Sequence, residues 1–437
     1  MDKRGSVYRK KVFCYGGFLI LLVLLCVLAS ADLIHRRKYS QSEFESVLPQ
    51  KPRKDINEKI RVLIKTTGFS QIAHTQVQLQ VASGLKISYG ENIEECKQGE
   101  VVTITPEDIK FQAGSIKIES KSEAEKISIP SIQRGYGTPS YRGKLELFQT
   151  AEGIVIVNEL RLEEYLYAVV PSEMPASYEL EALKAQAVCA RSYAYNQSRD
   201  YAYPEYQAHV DDSTAFQVYG NSAEQESTIS AVNETCGEKI WYNNQVATAY
   251  YYSTSCGKTA SIKAWGSDFN ESNQYLQSIN VCNEEGKSYE SDLPWYQWTA
   301  TISEQKMSNL VELNTGKEIG TLLNLAVTQQ GDGGIVQEIT AVGTTGKIVV
   351  KTENKIRSAL GGGGYTIEKQ DGTVVNSTKL LPSAFFTVEK RNGNYILHGG
   401  GYGHGIGMSQ NGANEMAKQG KTYKQILTFF YTGVVVE

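Results

Sequence analysis

Residues 175–195, PASYELEALKAQAVCARSYAY, carry the strongest helix signal in the chain. Ser177 is expected to cap the helix, and Glu179 and Glu181 fall in its first turn, where the helix dipole favours negative charge. Apolar side chains recur at helical spacing, namely at Leu180, Leu183, Ala187, Ala190 and Ala194. The small residues among them let the helix pack closely against another element, so we predict a prominent helix here.

Alternating apolar and polar residues surround this helix and predict strands. Before it lie the runs IRVLIKTT (60–67), TQVQLQVAS (75–83), EVVTITP (100–106), SIKIESK (115–121), KLELFQT (144–150) and GIVIVNEL (153–160). Residues 315–395 return to the same alternation, with turns at glycine-rich positions. The fold class is therefore α+β, with a β-rich mixed core and a prominent helix after a candidate catalytic loop, preceded by one N-terminal transmembrane helix.

That transmembrane helix is predicted from residues 12–31, VFCYGGFLILLVLLCVLASA, which carry no charge. The run is long enough to cross a hydrocarbon core of about 30 Å. Five basic residues precede it, which predicts a cytoplasmic N-terminus and an extracytoplasmic remainder. Ala29-Ser30-Ala31 also fits a signal-peptide cleavage site, but the length of the run and the basic cluster at residues 36–38 favour an uncleaved, single-pass anchor in the cell membrane.

The chain divides into three parts on this interpretation. Residues 1–34 form the cytoplasmic tip and anchor, residues 35–57 form a polar linker, and residues 58–437 form the folded region. The folded region is read as a β-rich part (58–150), a catalytic core (151–310), a second β-rich part (311–395) and a C-terminal Gly-His loop and helix (396–437).

Composition excludes some classes of protein. The 437 residues are 41% hydrophobic and 21% charged, which argues against a disordered chain. A net charge of -4 lacks the basic excess of a nucleic-acid binder. Five cysteines follow the apolar segment, namely Cys96, Cys189, Cys236, Cys256 and Cys282. A disulfide among the last three is possible, but sequence cannot choose the pair; with no C-x-x-C, a structural zinc ribbon is not expected.

Glu173 is the leading catalytic candidate. It lies in VPSEMP, between Pro171 and Pro175, so its surroundings are apolar and its backbone is restrained. An apolar setting raises the pKa of a carboxyl group, as a general acid working near neutral pH requires. The alternative is that Glu173 only marks the entry to the helix.

Three further candidates lie in polar, glycine-punctuated segments. His404, in the loop GGGYGHGIGMSQNG (399–412), could move a proton, although a packing or ligand-contact role is favoured. Ser253 or Ser255 could act as a nucleophile, but the G-x-S-x-G pattern is missing. Cys256 with His404 could form a thiol-based pair.

Four blocks in order resemble the stage II sporulation protein D / LytB-type family. They are ELRLEEYLYAVVPSEMPASYELEALKAQAVCARSYAY (159–195), HVDDSTAFQVYG (209–220), AYYYSTSCGKTAS (249–261) and GYGHGIGMSQNGANEMAKQGKTYKQILTFFYTG (401–433). The resemblance covers roughly residues 60–437. The anchor and linker are more similar to the family's membrane-bound sporulation members than to its secreted amidase modifiers.

The resemblance implies a lytic transglycosylase that cleaves peptidoglycan glycan strands stripped of stem peptides, during engulfment of the forespore. It places the catalytic role on Glu173 and implies no cofactor. Implied partners are the glycan strands, the membrane, a cell-wall amidase and other membrane proteins of an engulfment complex. The resemblance implies substrate contacts at Lys184, Gln186, Arg191, Ser253, Ser255, Lys258, His404 and Gln410. Further substrate contacts are predicted at His209, Asp212, Gln217 and Tyr219.

One departure from the family pattern concerns metal. Some clostridial relatives carry a histidine and cysteines associated with zinc where this chain has Ala215 and Phe216. His209 and Asp212 remain nearby, but one such pair is weak evidence for a metal site. We therefore predict no metal. Cys256 replaces a commoner small residue of the family, which makes a local disulfide worth testing.

Two other activities remain open from the sequence. A non-catalytic enhancer would hold glycan and stimulate an amidase, as in the LytB-type branch of the family. An ordinary hydrolase would need a second carboxylate, for which Asp212 and Glu164 are the candidates.

Overall fold

The computed structural model describes residues 58–437, which fold with both helices and strands. The predicted α+β class is confirmed for this part of the chain. Within it, no helix combines the length and the apolar character needed to cross a lipid bilayer. The predicted anchor at residues 12–31 and the predicted linker lie outside the described residues.

Strands dominate the described residues and are numbered in chain order. They are β1 (Lys59–Ile64), β2 (Ala73–His74), β3 (Val77–Gln80), β4 (Leu85–Tyr89), β5 (Asn92–Glu95), β6 (Val101–Ile104), β7 (Ile116–Ser120), β8 (Ile127–Ser128), β9 (Ser140–Tyr141), β10 (Lys144–Thr150), β11 (Gly153–Arg161), β12 (Val210–Asp211), β13 (Ile240–Tyr242), β14 (Gln245–Val246), β15 (Tyr251–Tyr252), β16 (Trp298–Ser303), β17 (Leu322–Gln330), β18 (Val336–Gly343), β19 (Lys347–Lys351), β20 (Thr366–Lys369), β21 (Val374–Asn376), β22 (Phe386–Arg391), β23 (Asn394–Gly399), β24 (Met408–Ser409) and β25 (Val435–Val436).

Seven α-helices occur among residues 58–437. They are α1 (Leu162–Glu173), α2 (Leu180–Gln197), α3 (Glu226–Glu234), α4 (Glu304–Thr315), α5 (Glu353–Leu360), α6 (Gln410–Lys418) and α7 (Tyr423–Phe430). Short 3-10 turns lie at Thr67–Phe69, Ile109–Ala113, Pro204–Tyr206, Ile262–Trp265, Pro294–Tyr296 and Asp332–Gly334.

An eight-stranded sheet supports the helices that follow it. Its order is β12-β1-β11-β10-β7-β4-β5, with β2 also paired to β11. The alternating runs predicted over residues 60–67, 115–121, 144–150 and 153–160 form strands of this sheet, so these predictions are confirmed. Six consecutive residues of β11, from Gly153 onward, are buried, which is typical of a central strand covered on both faces.

Helix α1 was not predicted and changes the setting of Glu173. The prediction of a catalytic loop around Glu173 is wrong, because Glu173 is the last residue of a twelve-residue helix that contains Pro171 in its final turn. The helix ends there because Met174 precedes Pro175 and adopts an extended backbone, the conformation that a following proline favours.

Helix α2 is confirmed, but its predicted start is wrong. It begins at Leu180 with Glu179 as the N-cap residue, and no side chain caps it. Residues 175–178 instead form a turn, in which the Tyr178 N–H donates to the Pro175 carbonyl. The Glu179 N–H is taken by Asn414 Oδ1 from α6, so a tertiary contact and not Ser177 sets the helix start.

Residues 298–399 form two further sheets. One has the order β21-β20-β16-β23-β22 and the other β17-β18-β19. The alternation predicted from residue 315 is therefore confirmed, with α5 inserted between β19 and β20.

The C-terminal segment returns to the central helices. Strand β24 pairs in parallel with β15, with Tyr251 opposite Met408. Gly407 makes this approach possible: its φ is +77°, and a side chain there would place a Cβ only 2.1 Å from the Tyr250 carbonyl oxygen.

Candidate active site

The Glu173 carboxyl is held at the C-terminal end of α1. Its Oε1 accepts a hydrogen bond of 2.6 Å from the Val218 backbone N–H. Burial raises its pKa from 4.5 to about 7, and the hydrogen bond from Val218 opposes only part of that rise. A carboxyl with this pKa can both give and take a proton near neutral pH.

Glu173 opens into a cavity of about 510 Å³, a size usual for ligand-binding clefts. The wall is drawn from distant parts of the chain, and it is rich in aromatic side chains. It consists of Glu173, Tyr193, Thr214, Ala215, Phe216, Gln217, Ala249, Tyr250, Tyr251, Trp265, Glu353, Asn354, Arg357 and His404. Of the predicted site residues, the cavity thus brings together Glu173, Gln217 and His404.

The Gln217 side-chain amide is hydrogen-bonded to three neighbouring residues. Its Nε2 donates to the Tyr251 hydroxyl at 3.1 Å and to the Ala190 carbonyl at 3.3 Å. Its Oε1 accepts from the Tyr165 hydroxyl at 3.3 Å. These bonds fix the segment that also supplies the Val218 N–H to Glu173.

His404 is a neutral structural residue of this wall. Its Nδ1 accepts from the Ile406 N–H at 3.1 Å, which leaves Nε2 as the protonated atom that donates to the Tyr251 carbonyl at 2.9 Å. Burial lowers its pKa to about 3. It therefore cannot take up a proton near neutral pH, which agrees with the favoured packing role and argues against a proton shuttle.

Gln410 and Gln186 lie behind Glu173, not on the cavity wall. Gln410 Nε2 donates to the Glu173 backbone carbonyl at 3.0 Å and to Gln186 Oε1 at 3.3 Å. Both glutamines are buried. Their position gives them a part in holding the end of α1 and no access to a ligand.

Two of the predicted cationic contacts are ion-paired away from the cavity. Arg191 is fully buried and binds Glu163 through two hydrogen bonds of 2.8 and 2.7 Å. Lys184 lies within 2.8 Å of Glu181 and 2.7 Å of Glu234. The structure gives both side chains roles in joining helices, because their charges are already neutralised.

Of the contacts predicted at residues 209–219, only Gln217 lies on the cavity wall. Asp212 is buried against Arg134 at 2.6 Å, and burial raises its pKa to about 6 despite that cation. The buried Tyr219 hydroxyl donates to Asn158 Oδ1 at 2.8 Å. His209 accepts from the Arg61 N–H at 3.1 Å through Nδ1. None of the three lines the cavity.

The segment 253–258 is organised by a carboxyl that sequence reasoning missed. Glu290 is fully buried, and burial raises its pKa to about 7. It accepts from the Ser255 N–H at 2.8 Å, from the Ser255 hydroxyl and from the Ser409 hydroxyl at 2.6 Å. Ser255 is therefore a buried structural residue and not a nucleophile. Ser253 and Lys258 do not line the cavity either.

The thiol-based alternative is also contradicted. Cys256 lines a different groove from His404, and burial raises its pKa to about 11, which disfavours a thiolate. Cys256 and Cys282 are free thiols, so no disulfide joins them.

Neither residue predicted as a second carboxylate lies on the cavity wall. Asp212 is bound to Arg134, and Glu164 pairs with Arg161 at 2.7 Å, both away from the cavity. Glu353, at the start of α5, is the acidic side chain that shares the wall with Glu173. No sequence signal identified it, because the helix that carries it was not predicted.

Comparison with known proteins supports the resemblance. Residues 150–242 match the family model described as stage II sporulation protein, and residues 266–407 match a domain of unknown function. The stage II sporulation protein D of Bacillus subtilis (strain 168) is 30% identical over 332 residues, covering 72% of this chain and 85% of that protein. The protein of the same name from Bacillus amyloliquefaciens is 29% identical over 64% of this chain and 74% of its own length.

A relative with a different name matches as well. The amidase enhancer of Bacillus subtilis (strain 168) is 32% identical over 304 residues, which cover 62% of this chain. The matched region spans only 40% of that protein's length. Taken with the stage II sporulation proteins, these matches show that the chain belongs to the stage II sporulation protein D family.

Proposed function

We propose that this protein is a lytic transglycosylase that cleaves peptidoglycan glycan strands between N-acetylmuramic acid and N-acetylglucosamine. The observation that carries the proposal is the Glu173 carboxyl, which opens into the cavity with its pKa raised to about 7. Such a group is half protonated at neutral pH, so it can serve as acid and base in one cycle.

The reaction needs one carboxyl group. Protonated Glu173 gives its proton to the glycosidic oxygen as the bond from that oxygen to muramyl C1 breaks. The ionised Glu173 then takes the proton of the muramyl C6 hydroxyl, whose oxygen attacks C1 and closes a 1,6-anhydro ring. The proton count balances, and no water is consumed.

The contacts that Glu353 already makes favour this scheme over hydrolysis. Its Oε1 lies 2.8 Å from Arg357 Nη1, and its Oε2 accepts from Trp265 Nε1 at 3.1 Å. A carboxylate engaged at both oxygens is poorly suited to activating water or attacking a sugar. Hydrolysis would leave a reducing muramic acid end, whereas the proposed reaction leaves an anhydromuramyl end, so mass spectrometry of the products separates them.

The biological setting is proposed from the family. The substrate is glycan stripped of stem peptides, and the role is peptidoglycan degradation during forespore engulfment. The protein would act outside the cytoplasm, anchored by residues 12–31, together with an amidase and other membrane proteins of an engulfment complex.

A second candidate function is supported by the amidase enhancer among the relatives. In that case the cavity would bind glycan and raise the rate of an amidase without cutting. Incubation of the protein with peptide-free glycan strands separates the two. Anhydromuramyl products that disappear in Glu173→Gln support the transglycosylase, and a stimulated amidase with no such products supports the enhancer.

A further inference from the structure

One side of the Glu173 cavity wall is aromatic. The Trp265 and Tyr250 rings, both in the wall, meet at 90° with their centroids 4.8 Å apart. The Trp265 ring also lies 5.1 Å from the His404 ring. Gly266, at φ +80°, ends the short turn that carries Trp265 and so sets where the indole lies.

The first turn of α5 gives this aromatic wall a polar edge. Glu353 fixes the indole through the Trp265 N–H and is itself fixed by Arg357. Arg357 Nε donates to the Leu381 carbonyl at 2.8 Å, which anchors the guanidinium. Asn354 is exposed beside them in the same cavity. The wall therefore combines an indole face with carboxylate, guanidinium and amide groups whose positions are set by hydrogen bonds.

The backbone before α5 is strained. Thr352, a β-branched residue, has φ +75°, a conformation that costs about 1–3 kcal/mol and tends to persist at ligand-binding sites. Its N–H donates to the Gln337 carbonyl at 2.9 Å, and its hydroxyl bonds Asn354 Oδ1 at 2.8 Å. The strained residue thus sits next to the polar edge of the wall.

The charges indicate the class of ligand. Among residues 58–437, Arg357 is the only lysine or arginine in the wall, and Glu353 is bound to it. His404 is neutral. Because the cationic charge is offset within the wall, an anionic ligand such as a phosphate gains little here. A neutral ligand with an apolar face and a rim of hydroxyl and amide groups fits better.

We propose that Trp265, Tyr250 and the Glu353–Arg357 pair form a sugar-binding subsite that holds one N-acetylhexosamine ring beside Glu173. The subsite itself is inferred from these contacts, and only the identity of its ligand as a sugar rests on the proposed function. The ring face packs on the aromatic side chains, and Asn354 and Arg357 meet its hydroxyl and acetamido groups. Glu353 is buried and holds the Trp265 indole and Arg357 in place. The region matched by a domain of unknown function would thereby supply part of the cavity.

The test uses the protein carrying Glu173→Gln, in which cleavage is expected to be slow, titrated with the soluble tetramer of N-acetylglucosamine. Trp265→Ala and Arg357→Ala in this background are each expected to weaken binding about tenfold or more, as truncation of a central aromatic or arginine anchor does. The matched control is Trp295→Ala, because Trp295 packs against Tyr402 and lies outside the cavity. It should leave the affinity unchanged.

A second measurement avoids truncation of the wall. The indole N–H resonance of Trp265, assigned as the one lost in Trp265→Phe, should shift on titration while that of Trp295 stays in place. The inference is overturned if both alanine variants bind like the parent, if the Trp265 resonance does not move, or if the parent fails to bind the tetramer at millimolar concentration. Glycan that remains uncut by the unmutated protein would refute the proposed function alone and leave the subsite standing.

Discussion

Replacing Glu173 by glutamine should make the folded protein more stable at high pH. The folded carboxyl has a pKa of about 7 against 4.5 in its ordinary state. Between those values the folded chain binds more protons than the unfolded chain, so the free energy of unfolding falls as pH rises through this window. The ionised Glu173 carboxylate then costs about 3 kcal/mol above pH 7. Glutamine never ionises and escapes this cost.

The measurement is urea denaturation of both proteins at pH 4, 6 and 8. The stability of Glu173→Gln relative to the unmutated protein should rise with pH, by up to about 3 kcal/mol at pH 8. The matched control is Glu179→Gln, which removes the same charge six residues away at an exposed position. A difference that stays constant with pH would refute a carboxyl held in a medium that disfavours its charge.

The same raised pKa predicts how the rate of glycan cleavage depends on pH. At pH 7 a carboxyl with a pKa of about 7 is about 50% protonated, whereas one at 4.5 would be only about 0.3% protonated. The rate of glycan cleavage should therefore decline above pH 7 as the general acid is lost. Glu173→Gln should reduce kcat by about 10²–10⁴-fold, read from the release of anhydromuramyl products. Full activity in that variant would end the assignment of Glu173.

Three further perturbations have defined outcomes. Arg134→Met leaves Asp212 buried without its cation and should cost about 3–5 kcal/mol in thermal or urea denaturation; a loss below 1 kcal/mol would contradict the buried ion pair. Thr352→Gly should leave the protein as stable or raise its stability by about 1 kcal/mol, because glycine adopts the positive φ freely; clear destabilisation would show that the angle is not strained. Gln410→Ala removes a donor to the Glu173 carbonyl, and kcat should fall while KM changes little; a change in KM alone would point to ligand contact instead.

Local patterns predicted much of the fold. Four strands of the large sheet (β1, β7, β10 and β11) were predicted from their apolar patterns, and α2 from its apolar face of helical period. The strands β2, β4, β5 and β12 of the same sheet were not predicted. Helix α1 was not predicted, because Pro171 lies in its last turn and the residues around that proline were interpreted as a loop. The start of α2 was misplaced because Asn414, more than two hundred residues later, takes the Glu179 N–H.

The site was predictable only where its chemistry is local. Glu173 stood out because its own neighbours are apolar. Trp265 and Glu353 could not be found this way, because distant segments bring them to the cavity. Conversely, Arg191 and Asp212 carry the charges expected of ligand contacts, but each meets an oppositely charged partner that sequence spacing does not reveal.

The pairing of β15 with β24 has a consequence for when the protein can act. Residues 251–252 lie beside residues 408–409, and the cavity wall runs from Glu173 to His404. A chain that is still being synthesised lacks β24, and contacts so distant in sequence form slowly. The cavity is therefore complete only once the residues up to Met408 have been made, so under the proposed function an unfinished copy would be inactive.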